Sequence, residues 1–200
     1  ASGRTNATTN GTWAKGGSAG NSISIDGDVV MSQVETKVGA SSIRFYGTDD
    51  WMTIPPGNPA WYFPGEFTFE SWVYIHEDSA GDEYIFCVGS NSSINNGVAA
   101  GNQVFVIWFS SLDLRVQVNG VDEISGITVA EGQWYHIAVT RNSSDVITVW
   151  LDGVSQDTDT VSGTIGSTQG QLNISGNSTR PQVLEFTGYL SEIRISDTSR

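Results

Sequence analysis

A chain of 200 residues with 38% hydrophobic and 10% aromatic side chains can form one domain with a substantial core, and a charged fraction of 16% excludes disorder throughout. The formal net charge is −13, because 22 Asp and Glu oppose 9 Lys and Arg. Such a charge, without a basic stripe, repels phosphate backbones and excludes a nucleic-acid partner. No run approaches the roughly 20 apolar residues of a membrane span, so we expect no membrane insertion.

The chain begins with a segment that has no hydrophobic period. Residues 1–20 therefore predict an arm or linker ahead of a domain at 21–200, with Trp13 as the residue that attaches the arm. Neither an initiator Met nor a signal peptide is present, which predicts a processed product or a piece of a larger protein or assembly. The single cysteine, Cys87, has no internal disulfide partner and is expected to be a small buried hydrophobe.

From residue 21 onward, runs rich in β-branched and aromatic residues alternate with turns rich in Gly, Asn, Asp and Ser. In the run FTFESWVYIH one face is apolar and the other mixes aromatic with polar groups, so we expect that other face to be partly covered or available to a ligand. The alternation places Phe67, Phe69, Ser71, Val73 and Ile75 on the apolar face. Asn119-Gly120 and Asp152-Gly153 favour tight turns. Ten or more short strands without helices predict an all-β fold, a two-sheet antiparallel jelly-roll sandwich.

Four segments carry a resemblance to a known family. SSIRFYGTDDWMTIP, GEFTFESWVYI, GQWYHIAVTRNSSDVITVWLDGV and FTGYLSEIRISDTSR are similar, in this order, to motifs of laminin-G-like jelly-roll domains. The resemblance runs from about Ser22 to Arg200 and implies a concanavalin A-like sandwich related to lectins. Members mostly bind sugars or proteins, and many hold a calcium ion near the rim. The stretch VVMSQVETKVGASSIRFYG resembles the lead-in of copies in phage and bacterial surface proteins, which implies an extracellular, cell-surface or virion location.

The aspartate pair Asp49 and Asp50 has two interpretations. The resemblance implies a calcium site at this turn, but calcium needs six to eight oxygen ligands, so the loop Ser175–Gln182 would have to add Asn177 and carbonyl oxygens. That loop lacks acidic residues, and Ser191 stands where the family often has an aspartate. The alternative is a polar hairpin tip in which a carboxylate accepts backbone N–H bonds.

Catalysis is the weaker expectation. Relatives that cleave glycosides place paired carboxylates on one strand face, whereas here Glu66 and Glu70 are separated only by apolar residues and a threonine. His76 is isolated, and His136 lies inside the strand WYHIAV, where we expect it to serve packing. The sequence therefore predicts that the chain is not an enzyme, with a glycoside hydrolase as the outside alternative.

Exposed aromatic rings are the usual means of binding sugars, because a pyranose face stacks on them. Trp61 and Tyr62 in the loop GNPAWYFPG, and Trp108 in QVFVIWF, are the candidates, with core packing as the alternative. For Trp72 and Trp150 we expect core packing outright.

These observations predict a non-catalytic recognition module that binds carbohydrate, or a cell-surface or virion protein, through loops at one rim, with calcium as a candidate cofactor. A structural decoration or spacer with no ligand is the alternative. The predicted binding edge comprises Gly47–Trp51, Asn58–Phe63, Asn91–Asn102 and Ser175–Pro181.

Overall fold

The computed structural model describes residues 5–6, 12–13, 21–47, 49–54, 62–77, 81–89, 105–118, 121–166, 171–176 and 185–200. Within these ranges the backbone forms strands and turns, and it contains no helix that is long and apolar enough to cross a membrane. The strands are β1 (Thr5–Asn6), β2 (Thr12–Trp13), β3 (Asn21–Ser22), β4 (Ser24–Asp26), β5 (Val30–Ser32), β6 (Ser42–Tyr46), β7 (Trp51–Ile54), β8 (Tyr62–Phe63), β9 (Phe67–Ile75), β10 (Asp82–Gly89), β11 (Phe105–Ser110), β12 (Asp113–Val118), β13 (Val121–Thr128), β14 (Trp134–Arg141), β15 (Val146–Leu151), β16 (Val154–Thr160), β17 (Ile165–Gly166), β18 (Gln171–Ile174) and β19 (Thr187–Ser196).

Two antiparallel sheets form a sandwich. The eight-stranded sheet has the order β1-β5-β6-β19-β9-β14-β15-β16, and the seven-stranded sheet has the order β13-β12-β11-β10-β18-β7-β4. The last long strand of the chain, β19, lies between β6 and β9, which are early strands, so the sheet closes by long-range pairing. The predicted all-β jelly-roll sandwich is confirmed. Strands β1 and β2, from the predicted arm, pair with β5 and β3.

The core lies between the two sheets, where the alternation of side chains places it. Phe67, Phe69, Ser71, Val73 and Ile75 are all buried, as the pattern of this strand predicts. Their rings meet those of the opposite sheet: Phe69 lies 5.0 Å from Phe105 and 6.0 Å from Phe86, between centroids. Aromatic pairs at such distances add to the free energy of burial.

Arg141 is a charged side chain in this core that the sequence analysis did not single out. It is fully buried and ends β14 on the inner face, opposite Ile147 of β15. Its guanidinium donates to three carbonyl oxygens, those of Gly65, Val161 and Gly163, at 3.1, 2.9 and 2.6 Å. It also pairs with the Asp145 carboxylate at 2.6 Å. Arg141 therefore ties three separate turns to one end of the sandwich.

Two smaller expectations are also tested. Asp152 and Gly153 adopt φ values of 50° and 79° in the turn between β15 and β16, as the Asp-Gly pair predicts. Cys87 is buried and free, as expected. Asn119 and Gly120 lie outside the described residues, and the division of the chain at residue 20 stays a prediction.

Candidate functional site

The predicted aspartate pair lies in a tight turn between β6 and β7. The Asp50 N–H donates to the Gly47 carbonyl at 2.9 Å, and Asp49 adopts a φ of 66°. The Asp50 carboxylate, in a residue only 1% exposed, accepts hydrogen bonds with both oxygens. Oδ1 accepts from the Asp28 N–H at 2.5 Å, and Oδ2 accepts from the Tyr46 N–H at 2.7 Å. The carboxylate therefore holds two chain turns together, which is the structural role that the sequence offered beside calcium.

The surroundings of Asp50 are closely packed. Burial raises the pKa of the Asp50 carboxyl, and the two backbone hydrogen bonds partly oppose that rise. Gly27 adopts a φ of 73°, and a Cβ there would lie 2.2 Å from Asp50 Oδ1 and 2.2 Å from the Asp49 carbonyl oxygen. Any side chain at position 27 would therefore displace the aspartate turn.

A calcium ion requires more oxygen ligands than this turn offers. In the described part of the chain, no three His, Cys, Asp or Glu side chains come close enough to hold a metal ion. Each Asp50 oxygen already accepts a backbone hydrogen bond. The described residues alone therefore do not fit calcium. Asn177, which was expected to complete the site, lies outside the described residues, so the calcium site stays a prediction.

The strands that flank the predicted binding edge end at both ends of the seven-stranded sheet. In the antiparallel pair of β7 and β18, Met52 lies beside Ile174 and Ile54 lies beside Leu172. The chain therefore enters β7, and leaves β18, at one end of the sheet. At the opposite end of the sheet, β7 stops and β18 begins.

Strand β10 extends this assignment, because its last residue, Gly89, lies beside Gln171 at the start of β18. The segments 47–50 and 175–184 thus adjoin strand ends at one end of the sheet, and 55–61 and 90–104 adjoin strand ends at the other. Most of the predicted binding edge, residues 58–61, 91–102 and 177–181, lies outside the described residues, so one shared edge stays a prediction. Strand pairing sets the end at which a loop leaves, and single-strand patterns do not determine that pairing.

Of the predicted sugar-stacking residues, only Trp108 can be placed with its side chain. Trp61 lies outside the described residues, and Tyr62 belongs to β8 without a described side chain. Trp108 is 8% exposed on the outer face of the seven-stranded sheet, beside Cys87. Tyr84 lies at 6.0 Å between ring centroids, and the Arg115 guanidinium lies 5.4 Å from the Trp108 ring. In this conformation the Trp108 ring is not available for stacking on a ligand.

Aromatic side chains instead line the outer face of the eight-stranded sheet. Tyr74 of β9 is the cross-strand partner of both Trp134 and Tyr189, with centroid distances of 5.5 and 5.6 Å. Trp72 is the partner of His136, at 5.1 Å. Except for the buried Tyr189, these rings are half-buried. The face combines ring surface with access to solvent, which is the combination that stacking on a sugar requires.

This finding corrects the expectation for Trp72 and Trp150. Both are half-buried on the outer face, and neither belongs to the core between the sheets. The Trp150 indole N–H donates to Thr140 Oγ1 at 3.0 Å, across the β14–β15 pair. The two-residue alternation did predict their side of the strand, because Phe69 and Val149 face the core. Assigning Trp72 and Trp150 to the core because they are tryptophans was the error.

The loop of residues 33–41, between β5 and β6, lies across part of this face. The Lys37 ammonium lies 4.3 Å from the centroid of the Trp72 ring. The Glu35 side chain hydrogen-bonds Tyr74, and burial together with this carboxylate raises the pKa of the Tyr74 phenol. Ser42 donates to the Glu35 carbonyl at 2.5 Å, which fixes the loop at its end. The aromatic face is thus covered on its β6 side and continues toward β14.

One carboxylate lies among two arginines and a histidine beyond this loop. Glu70 Oε1 lies 3.2 Å from Arg194 Nη1 and 3.6 Å from Arg200 Nη1. Its Oε2 lies 3.7 Å from His136 Nε2. The two arginine side chains are 54% and 50% exposed, whereas that of Glu70 is 17% exposed. We name these four residues the Glu70 cluster; it adjoins the Trp72–His136 pair.

A cavity of about 450 Å³ opens elsewhere, between the sheets at the β5–β6 edge. Met31, Ile43, Met52, Ile174 and Leu190 form its apolar lining, with Glu192 near its opening. None of the residues predicted from the sequence lines it. The cavity is therefore separate from both the aspartate turn and the aromatic face.

The fold and the sequence together define the family. The sequence model of the family described as the Concanavalin A-like lectin/glucanases superfamily matches residues 46–200. The chain therefore belongs to this family, and the laminin-G-like resemblance is confirmed. No curated protein sequence matches the chain closely enough to serve as a relative.

Solved structures share the fold at low sequence identity. Domain 4 of AbnA, an extracellular arabinanase from Geobacillus stearothermophilus solved with arabinotriose, is similar with a TM-score of 0.67 and 15% identity, over 92% of this chain and 85% of that one. The binding domain of Paraclostridial Mosquitocidal Protein 1 is similar with a TM-score of 0.65 and 14% identity, over 90% of this chain and 45% of that one. A heptameric SAP-like pentraxin from Limulus polyphemus is similar with a TM-score of 0.56 and 18% identity, over 80% of this chain and 76% of that one.

Proposed function

We propose that this chain is a non-catalytic recognition module that binds carbohydrate outside the cell, as part of a larger surface protein or virion. The observation that carries the proposal is the aromatic outer face of the eight-stranded sheet. Trp72, Tyr74, Trp134 and His136 lie on adjacent strands in register, so their rings form one continuous surface. Stacking on rigid rings costs little side-chain entropy, and charged groups beside them supply hydrogen bonds to hydroxyls.

The similar structures support a binding role of this kind. The arabinanase domain was solved with a sugar, arabinotriose, and the mosquitocidal protein contributes its binding domain. At 14–15% identity these likenesses establish the fold alone, so the sugar-binding role comes to this chain as part of the proposal.

The absence of catalysis is proposed from the carboxylates of the described residues. A glycoside hydrolase needs two carboxyl groups about 5 to 9 Å apart across a groove, one of which protonates the leaving group. Glu70 lies between Arg194, Arg200 and His136, and Glu66 is exposed before β9 begins. Glu123 and Asp159 are hydrogen-bonded to each other, which is too close for that geometry.

Affinity gel electrophoresis with soluble polysaccharides tests the proposal. Arabinan as a neutral polymer and polygalacturonate as an anionic one should retard the wild type if either is bound. Trp134→Ala, on the aromatic face, should abolish the retardation. Trp51→Ala, at the aspartate turn, is the matched control and should retain it.

The reverse result would transfer the site to the predicted rim. If Trp51→Ala abolishes retardation and Trp134→Ala retains it, the aromatic face is not the site. If no polymer of a wider glycan panel binds, the structural spacer, which has no ligand, replaces the recognition module.

Calcium is the second element of the proposal, at the aspartate turn with Asp49, Asp50 and Asn177. A ligand that binds only the native state raises the unfolding midpoint as its concentration rises. Thermal unfolding with calcium and with a chelator should then differ for the wild type and coincide for Asn177→Ala. Because Asp50 also has a structural role, Asp50→Ala should lower the midpoint under both conditions. Coincident wild-type curves would remove calcium from the proposal.

A further inference from the structure

We propose that the Glu70 cluster is a subsite for a carboxylate-bearing sugar, a uronate, within the carbohydrate-binding face. The inference rests on the proposed function, because it names the class of sugar that this face accepts. Positive charge is unevenly distributed over the described part of this chain, whose net charge is −13. Of the six Lys and Arg residues in the described part of the chain, four lie on this one face, namely Lys37, Arg44, Arg194 and Arg200.

Two of these four cationic side chains lie over aromatic rings. The Arg44 guanidinium is buried between the rings of Tyr46 and Tyr189, at 4.9 and 4.5 Å from their centroids. Lys37 lies over Trp72. Arg194 and Arg200 are half exposed and converge on one atom, Glu70 Oε1.

The ion pairs in the cluster leave guanidinium donors unused. Glu70 Oε1 is buried and accepts no hydrogen bond from any residue that the structure describes, although both arginines lie within ion-pair distance. The contacts are therefore electrostatic and not aligned as hydrogen bonds. Each guanidinium has five N–H donors in a planar fork. Two such forks beside one carboxylate carry an excess of one positive charge, which a ligand carboxylate would balance through two parallel hydrogen bonds.

The wider charge distribution favours a uronate over a polysulfated chain. Glu35 is a further carboxylate on this face, and the protein as a whole is strongly acidic. A densely sulfated polymer would be repelled by this background, whereas a uronate brings one charge per sugar. The neighbouring Trp72–His136 pair and Trp134 supply the ring surface for the apolar side of that sugar.

Substitutions in the cluster should change the affinity for polygalacturonate in opposite directions. A purely structural role would not produce both a loss and a gain of affinity. Removing both forks with Arg194→Gln and Arg200→Gln should weaken binding to polygalacturonate by at least about tenfold. Glu70→Gln removes the competing carboxylate and should strengthen it by about threefold. Glu66→Gln makes the same change in net charge four residues earlier and should leave the affinity unchanged. High salt should weaken wild-type binding to polygalacturonate and abolish the difference between the Glu70 variants.

Polygalacturonate, arabinan and heparin serve as probes, with affinity measured for each variant by titration calorimetry or gel retardation. Uronate binding that falls with the arginine variants and rises with Glu70→Gln supports the inference. Binding to arabinan alone, or binding to heparin alone, overturns the uronate subsite and leaves the carbohydrate-binding proposal intact. No binding to any of a wide glycan panel overturns both. Uronate binding that is indifferent to these substitutions overturns the subsite only.

Discussion

The outer faces of the two sheets are built by the same alternation of side chains, yet they differ in their exposure. On the eight-stranded sheet, Trp72, Trp134 and Trp150 are half-buried and their charged neighbours reach solvent. On the seven-stranded sheet, Cys87 and Asn173 are completely buried although they point away from the core between the sheets. Facing outward in a sandwich is therefore not the same as being exposed.

The difference teaches where binding surfaces can be expected in such a fold. On the seven-stranded sheet, Thr53 Oγ1 and Gln171 Nε2 both donate to Asn173 Oδ1 at 3.0 Å, and the Asn173 Nδ2 and Trp108 Nε1 atoms are buried. On the eight-stranded sheet, Glu70 gathers cationic groups without hydrogen-bonding to them. A buried donor cannot reach a ligand, whereas the half-exposed guanidinium groups of Arg194 and Arg200 can.

Cysteine reactivity provides the largest expected contrast between the faces. The Cys87 thiol is buried, and burial raises its pKa to about 12, so native protein should react with a thiol reagent at least about a thousandfold more slowly than unfolded protein. A Thr148→Cys variant in a Cys87→Ala background places a half-buried thiol on the other outer face and should react readily. Absorbance on release of the reagent's chromophore measures both rates. Equal rates would show that the two faces are equally open.

Tryptophan truncation should separate the faces by stability. Trp108→Ala empties a buried position on the seven-stranded sheet and should lower the free energy of unfolding by about 3 to 5 kcal/mol. Trp134→Ala on the eight-stranded sheet should cost about 1 kcal/mol or less, because the ring is partly solvated. Urea denaturation followed by tyrosine fluorescence measures both. Similar losses would remove the distinction between a packed and an accessible tryptophan.

A polar substitution sharpens the same contrast at a smaller scale. Asn173→Ala leaves two buried donors, on Thr53 and Gln171, without their acceptor and should cost about 1 to 3 kcal/mol. Thr148→Ala on the opposite outer face should stay within about 0.5 kcal/mol. Chemical denaturation of the two variants against the wild type is the measurement. A negligible loss for Asn173→Ala would mean that water replaces its amide.

The smallest effect is expected where the edges of the two sheets meet. Burial, together with Asp159 on β16, raises the pKa of the Glu123 carboxyl on β13. Because the folded pKa is raised, the stabilisation from the protonated form is complete below the unfolded pKa and is lost as pH rises through the folded pKa. Glu123→Gln should therefore be more stable than the wild type at neutral pH, by up to about 1 kcal/mol. The gain should vanish on acidification; a gain independent of pH would contradict this account.

The fold was predictable because it depends on local patterns that repeat along the chain. Alternation in β9 placed Phe69 inward and Trp72 outward, and alternation in β11 placed Phe109 inward and Trp108 outward. The buried role of Arg141 was not predictable, since its partners are carbonyl oxygens of turns distant in sequence. Carbonyl groups belong to every residue, so a sequence carries no sign of which ones an arginine will meet.

The candidate site was less predictable, because register between strands creates it. His136 adjoins Trp72, and Arg194 adjoins Glu70, only through the pairing of β9 with β14 and β19. A bulge between Ser191 and Arg194 sets the second of these pairs, and a one-residue change in register would reverse the face. The alternation identified an outward face with aromatic groups, but not the partners that complete it.

Strand β16 has a further consequence for contacts between copies of the protein. It is the edge of the eight-stranded sheet, and its sequence VSQDTDT is almost wholly exposed. An edge strand offers free backbone groups to any other extended chain. The aspartates of β16, Asp157 and Asp159, place negative charge along that edge, so two copies that approached edge to edge would repel each other. The acidic side chains of this strand thereby disfavour pairing between the sheet edges of two copies.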